Sequence, residues 1–156
     1  MSRWQLAQIN VARLVAPKGD PRVQSFFDQI EGVNAVADGA EGFVWRMQDD
    51  SGNATGINPT PDLTLLVNIS VWRDIDCLYD FVYRTVHREP LGQRRDWFVP
   101  FEGAFQALWW VPAGHRPSVD EGLGRLWMLD RYGPTAAAFG FKTRFPAPLD
   151  GLTVHG

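Results

Sequence analysis

Segments that alternate with a period of two and segments with helical periodicity follow one another along this chain in one order, and that order leaves few architectures open. Trp4 to Leu14 puts Trp4, Leu6, Gln8, Asn10 and Ala12 on one strand face and Ala7, Ile9 and Val11 on the other. Both faces are partly apolar, so both should be covered. Pro17-Lys18-Gly19 breaks this strand, and Asp20 before Pro21 predicts an N-cap with Pro at the first helical position. Val23, Phe26, Phe27, Ile30 and Val33 then form the apolar stripe of a helix that should lie on the sheet. After Gly39 and Gly42, Phe43 to Gln48 predicts a second strand, with Phe43, Trp45 and Met47 on one face and Val44, Arg46 and Gln48 on the other.

Residues 49–62, rich in Gly, Asn, Asp and Pro, predict a long mobile hairpin loop. Thr64 to Arg73 predicts a third strand whose faces differ: Leu65, Val67, Ile69 and Val71 on one, Leu66, Asn68, Ser70 and Trp72 on the other. Buried amides and hydroxyls need partners, so the second face either meets water or lines a cavity. Asp74 can cap a helix from Ile75 to Val86, which Glu89-Pro90 interrupts. A short helix or turn over Gly92 to Phe98 and a fourth strand over Ala104 to Val111 follow. Ser118 and Glu121 have capping-box spacing at the start of a last helix with Leu123, Leu126, Trp127 and Leu129 as its apolar face. Ala137 to Phe145 predicts a fifth short strand or arm.

Strand, helix, strand, strand, helix, strand is the ferredoxin-like βαββαβ order of an α+β antiparallel sheet with both helices on one face, here with an appended C-terminal helix and short strand. A second subunit could cover the other face, closing a dimeric α/β-barrel. Residues 1–146 are expected to form one domain, and 147–156 a flexible tail.

With 156 residues, 45% hydrophobic and 21% charged, the chain can bury a core without disulfides. Seven Trp and ten Phe must enter a core, a pocket or an interface. A net charge of -3 argues against a nucleic-acid partner. Cys77 stands alone, which excludes an internal disulfide or a Cys-based zinc site, and the carboxylates form no metal cluster in sequence. No run reaches the roughly 18 apolar residues of a membrane span, and no signal peptide is evident, so cytoplasm is the expected location. Walker A, GxGxxG, HExxH and GxSxG patterns are missing, which removes support for nucleotide hydrolysis, dinucleotide redox chemistry, zinc proteolysis and α/β-hydrolase chemistry.

HREPLGQRRDWF, LWWVPAGHRPSVDEGLGRL and GPTAAAFGFKTRF, in that order, resemble the family called domain of unknown function 3291, over Trp4 to about Phe145. The resemblance implies a dimeric α/β-barrel related to the antibiotic biosynthesis monooxygenases. That wider group includes cofactor-free oxygenases acting on phenolic polyketides, haem-degrading enzymes, haem peroxidases and proteins without known catalysis, so the fold does not choose the chemistry.

The stretch from Leu78 to Pro112 concentrates the candidate site residues. His87 ends a helix, where its ring can bond terminal carbonyls or serve as a base, a hydrogen-bond donor or a haem ligand. Tyr83 shares its helical face. Arg94 or Arg95 can clamp an anionic group or form surface ion pairs, and Trp97 lies beside them. These groups are expected to converge on one pocket. Trp45, Trp72 and Trp109 can form an aromatic wall or ordinary core, while Asn68, with Asn10 and Ser70, can steady a ligand oxygen. The expected function is a monooxygenase-like small-molecule enzyme or binder for an aromatic, polyketide-like ligand held between sheet and helices, without a cofactor. A non-catalytic dimeric structural or binding protein and a haem protein using His87 are the alternatives. His115 is expected to be solvated, and His155 to lie outside any site.

Overall fold

The computed structural model describes residues 3–48, 64–88, 97–100 and 103–148, the side chains of residues 31 and 85–88 excepted. Its centre is β1 (Trp4–Leu14), antiparallel to β3 (Leu65–Trp72) along one edge and to β5 (Gln106–Pro112) along the other. β2 (Phe43–Arg46) extends the sheet beyond β3. The two-residue β4 (Phe98–Val99) pairs with the end of β1 that β5 leaves open. The long strands therefore run β2-β3-β1-β5, the ferredoxin-like order. The crossover α1 (Gln24–Asp38) joins β1 to β2, and β3 fills the slot between them; α2 (Ile75–Arg88) joins β3 to β5 across β1 in the same way. No helix among the described residues is long and apolar enough to cross a membrane.

Local chemistry places these elements where the sequence predicts them. Asp20 accepts from the Arg22 backbone N–H at 2.9 Å and opens a 3-10 turn, Pro21–Val23, that runs into α1. Asp74 accepts from the Cys77 N–H at 2.9 Å at the start of α2. Ser118 accepts from the Glu121 N–H at 3.1 Å and opens α3 (Val119–Tyr132), which ends at Gly133 with φ 75°. Only half of the expected capping box forms, because the Glu121 carboxylate turns to Trp109 and His115 instead.

The two sheet faces have different covers. α1 and α2 lie over the face of Gln8, Asn10, Asn68 and Ser70. The opposite face, with Ile9, Val11, Ile69, Val71 and Trp109, forms a buried cluster with Leu126 of α3, and Val119, Leu123 and Leu129 pack against it. Ile9, Ile69 and Trp109 are 0% exposed within one chain. The face that the strand pattern assigns to a second subunit is thus occupied by the chain's own third helix. Trp127, counted on the apolar side of that helix, points outward and is 55% exposed.

Two strand expectations need correction. In β2 the register shifts between Phe43 and Trp45, a bulge that breaks the expected alternation. Phe43 therefore joins Trp72 and Leu78, whereas Trp45 and Met47 pack beneath α3. The segment expected as a fifth short strand or an arm, Ala137 to Phe145, is no strand and contributes isolated bridges only. A Thr135–Ala138 turn precedes Phe139, which exchanges both backbone hydrogen bonds with Leu108, at 2.7 and 2.9 Å, on the open edge of β5. The 49–62 loop and the tail beyond residue 148 lie outside the described residues.

Candidate functional site

The pairing register sets polar side chains side by side on the face beneath α1 and α2. Gln8 is opposite Ser70 on β3, and Arg46 of β2 is opposite Ser70 on its other side. One step along the same face, Asn10 is opposite Asn68 and also Gln106 of β5. Side chains on a sheet face repeat every second residue, so Gln8 and Asn10, with Ser70 and Asn68, make a two-by-two polar block at the sheet's centre.

This block is bonded within itself. Gln8, 2% exposed, donates from Nε2 to Asn68 Oδ1 at 2.9 Å and to Ser70 Oγ at 2.8 Å. Asn10 Nδ2 donates to Gln8 Oε1 at 3.0 Å. Trp72 Nε1 donates to Ser70 Oγ at 2.9 Å. An indole N–H can only donate, so Ser70 Oγ must accept there. With two bonds accepted, the hydroxyl keeps its own O–H to give, and Asn68, whose Oδ1 is already used, keeps its amide NH2. The block thus supports itself and still offers donors.

Above it lies a cavity of about 370 Å³, flanked by Val33 and Asn34 of α1 and by Phe81 and Val82 of α2, with Phe43 and Trp72 on its wall. Trp72 stacks on Phe81 at a centroid distance of 5.1 Å, and Phe43 meets Trp72 edge-on at 5.5 Å. Arg46 is the one ionisable side chain among the described lining residues. It is 10% exposed and grips Asp38, the last residue of α1, through Nε at 2.7 Å and NH2 at 3.2 Å. That hydrogen-bonded guanidinium holds the Asp38 carboxyl below its ordinary range.

The sequence-derived candidates fall into three groups. Asn68, Ser70, Asn10 and Trp72 line the cavity as expected. Trp45 and Trp109 do not share the wall with Trp72, because they belong to the cluster under α3. Trp97 is also apart: it is 3% exposed, donates to Ser25 Oγ at 2.8 Å and packs edge-on to Phe26 at 5.6 Å. Tyr83 is 55% exposed and stacks on Tyr79, away from the cavity lining. The His87 backbone is in α2, but its side chain lies outside the described residues, as do Arg94, Arg95 and the break between them. The described lining holds no His, Cys, Tyr or Met, and the His87 side chain expected as a haem ligand lies outside the described residues. His115 is at the surface, 2.7 Å from Glu121 Oε1.

The sequence did not single out the polar lining residues Gln8, Asn34, Arg46 and Gln106, nor Phe43 and Phe81. A signal existed for Gln8: QIN and NIS are polar-x-polar dyads in the middle of apolar strands. None existed for Arg46, whose place on the cavity depends on the bulge. Cys77 is buried beside Asp74; burial first, and that carboxylate second, push its thiol up, leaving it a packing residue.

The sheet order and this cavity define a ferredoxin-like α+β protein with a ligand-sized pocket between sheet and helices. The chain belongs to the family described as Domain of unknown function (DUF3291), whose model matches residues 5–153. Among solved structures, SnoaB, a cofactor-independent oxygenase from Streptomyces nogalater, is similar at 16% identity and a TM-score of 0.38, over 75% of this chain and 98% of that one. No curated protein matches.

Proposed function

We propose that this protein binds a small aromatic molecule bearing an oxygen acceptor and acts on it as a cofactor-independent, monooxygenase-like enzyme. The observation that supports the reading is the donor-bearing polar block at the floor of a largely apolar cavity. Asn68 and Ser70 donate to the ligand oxygen, and Phe43, Trp72 and Phe81 enclose its ring. In the proposed reaction the ligand supplies the electrons and dioxygen is the oxidant: a phenol with a free ring position yields a quinone, and the second oxygen atom leaves as water. His87, with Arg94 or Arg95, is proposed to assist from the end of α2. A homodimer belongs to this reading only through a surface other than the sheet face that α3 already covers.

A panel of phenols, naphthols and hydroxyquinones tests it by thermal shift and by oxygen uptake. A ligand at about a hundred times its Kd should stabilise the fold by about 2.7 kcal/mol. Asn68→Leu should abolish both the shift and the uptake. Binding without oxygen uptake would select the second reading, a non-catalytic binder. That reading draws support from Arg46, already paired, being the one ionisable side chain in the described lining. No shift across the panel would sink both.

A further inference from the structure

We propose that the Asp38–Arg46 pair makes this cavity select uncharged oxygenated aromatic ligands over their anionic counterparts, an inference that rests on the ligand-binding reading above. The polar groups that the described lining presents are amides and a hydroxyl, apart from Arg46. Neutral donors can satisfy a carbonyl or a phenol, but a full negative charge carried into an apolar site without a cation costs far more than they return.

Among the described lining residues Arg46 is the cation that would compensate such a charge, and its position decides whether it can. The side chain is 10% exposed, and Asp38 takes its Nε and NH2 at 2.7 and 3.2 Å in a fork that leaves the pair close to electrically neutral. Asp38 also ends α1, so the negative end of the helix dipole adds to the field that holds the guanidinium and opposes an arriving anion. A carboxylate ligand must therefore compete with Asp38 for the guanidinium's charge, whereas a neutral ligand leaves the pair undisturbed. Asp38 itself is absent from the cavity lining, which makes it a specificity residue acting through Arg46.

Titration calorimetry with 1-naphthol and 1-naphthoate at neutral pH tests the inference, since the two differ chiefly in charge. The wild-type protein should bind naphthol at least about tenfold more tightly. Asp38→Asn, which keeps shape and removes charge, should bring naphthoate to within about threefold of naphthol while leaving naphthol affinity in place. Asp38→Glu should restore the preference. Equal wild-type affinity for the two probes overturns the selection and leaves the binding reading standing, as does an Asp38→Asn variant with an unchanged preference. Failure of both probes, in wild type and variant alike, overturns the binding reading and the selection with it.

Discussion

Trp72 gives its indole N–H to Ser70 Oγ at 2.9 Å, two residues back along β3 and on the same sheet face. One hydroxyl thereby anchors both the aromatic wall of the cavity and, through Gln8, the amides of its floor. Ser70→Ala leaves the Trp72 N–H and one Gln8 N–H without acceptors, and both residues are at most 2% exposed. The expected loss is about 1–3 kcal/mol for each orphaned donor, read from the urea midpoint. Ser70→Thr, which keeps the hydroxyl, should recover most of it.

Two glycines of α3 should respond in opposite directions. A Cβ on Gly122 would lie 2.8 Å from Ile9 Cδ1 and 3.1 Å from Ile69 Cδ1, so Gly122→Val should lift the helix from the sheet and cost about 1–3 kcal/mol. Nothing lies within 4 Å of the corresponding point on Gly124, and Gly124→Ala should gain about 0.5–1 kcal/mol from helix propensity alone. Chemical denaturation of the two variants checks both signs.

Glu121 ties α3 to the sheet by accepting from Trp109 Nε1 at 3.0 Å. Trp109 is 0% exposed, so Glu121→Ala strands its N–H and should cost about 1–3 kcal/mol. Glu121→Gln retains an acceptor and should cost less. The near-ultraviolet circular dichroism of the tryptophans should change in the alanine variant.

Asp38 also predicts an acid-limb effect. Its folded-state carboxyl is held below the ordinary range by the Arg46 hydrogen bond. A lowered carboxyl stabilises fully above the unfolded-state value, and that contribution disappears as pH falls through the folded-state value. Asp38→Asn should therefore flatten the fall in stability across the acid carboxylate range. Because the carboxylate is 49% exposed, the difference at neutral pH should stay under about 1 kcal/mol. Urea midpoints taken from pH 7 downward give the comparison.

The sheet order and the cavity face were legible because each strand carries its faces in its alternation. The bounds of β1 and the side-chain set of Asn10, Asn68 and Ser70 follow from periodicity alone. What alternation cannot report is which partner covers a face: an apolar stripe on β1 reads alike whether another subunit or α3 lies over it. Nor does it report a bulge, and that one displaced residue in β2 sends Trp45 to the wrong side and brings Arg46 to the right one. The aromatic cluster of Trp97 illustrates a third limit. Its proximity in sequence to His87 and Arg94 carries no information about which helix the ring packs on, and it packs on Phe26 of α1.

Because β1 is the middle of the sheet, the earliest of the described strands is the last to have both of its edges paired. Its partner residues run as far along the chain as Pro112, opposite Trp4. During synthesis an eleven-residue strand waits with both edges unpaired, first for β3 and then for β5, and such long-range closure is slow. An uninterrupted apolar strand in that position would be an aggregation template. Gln8 and Asn10 interrupt it at its centre, so the amides that face the cavity in the finished protein also guard the nascent chain.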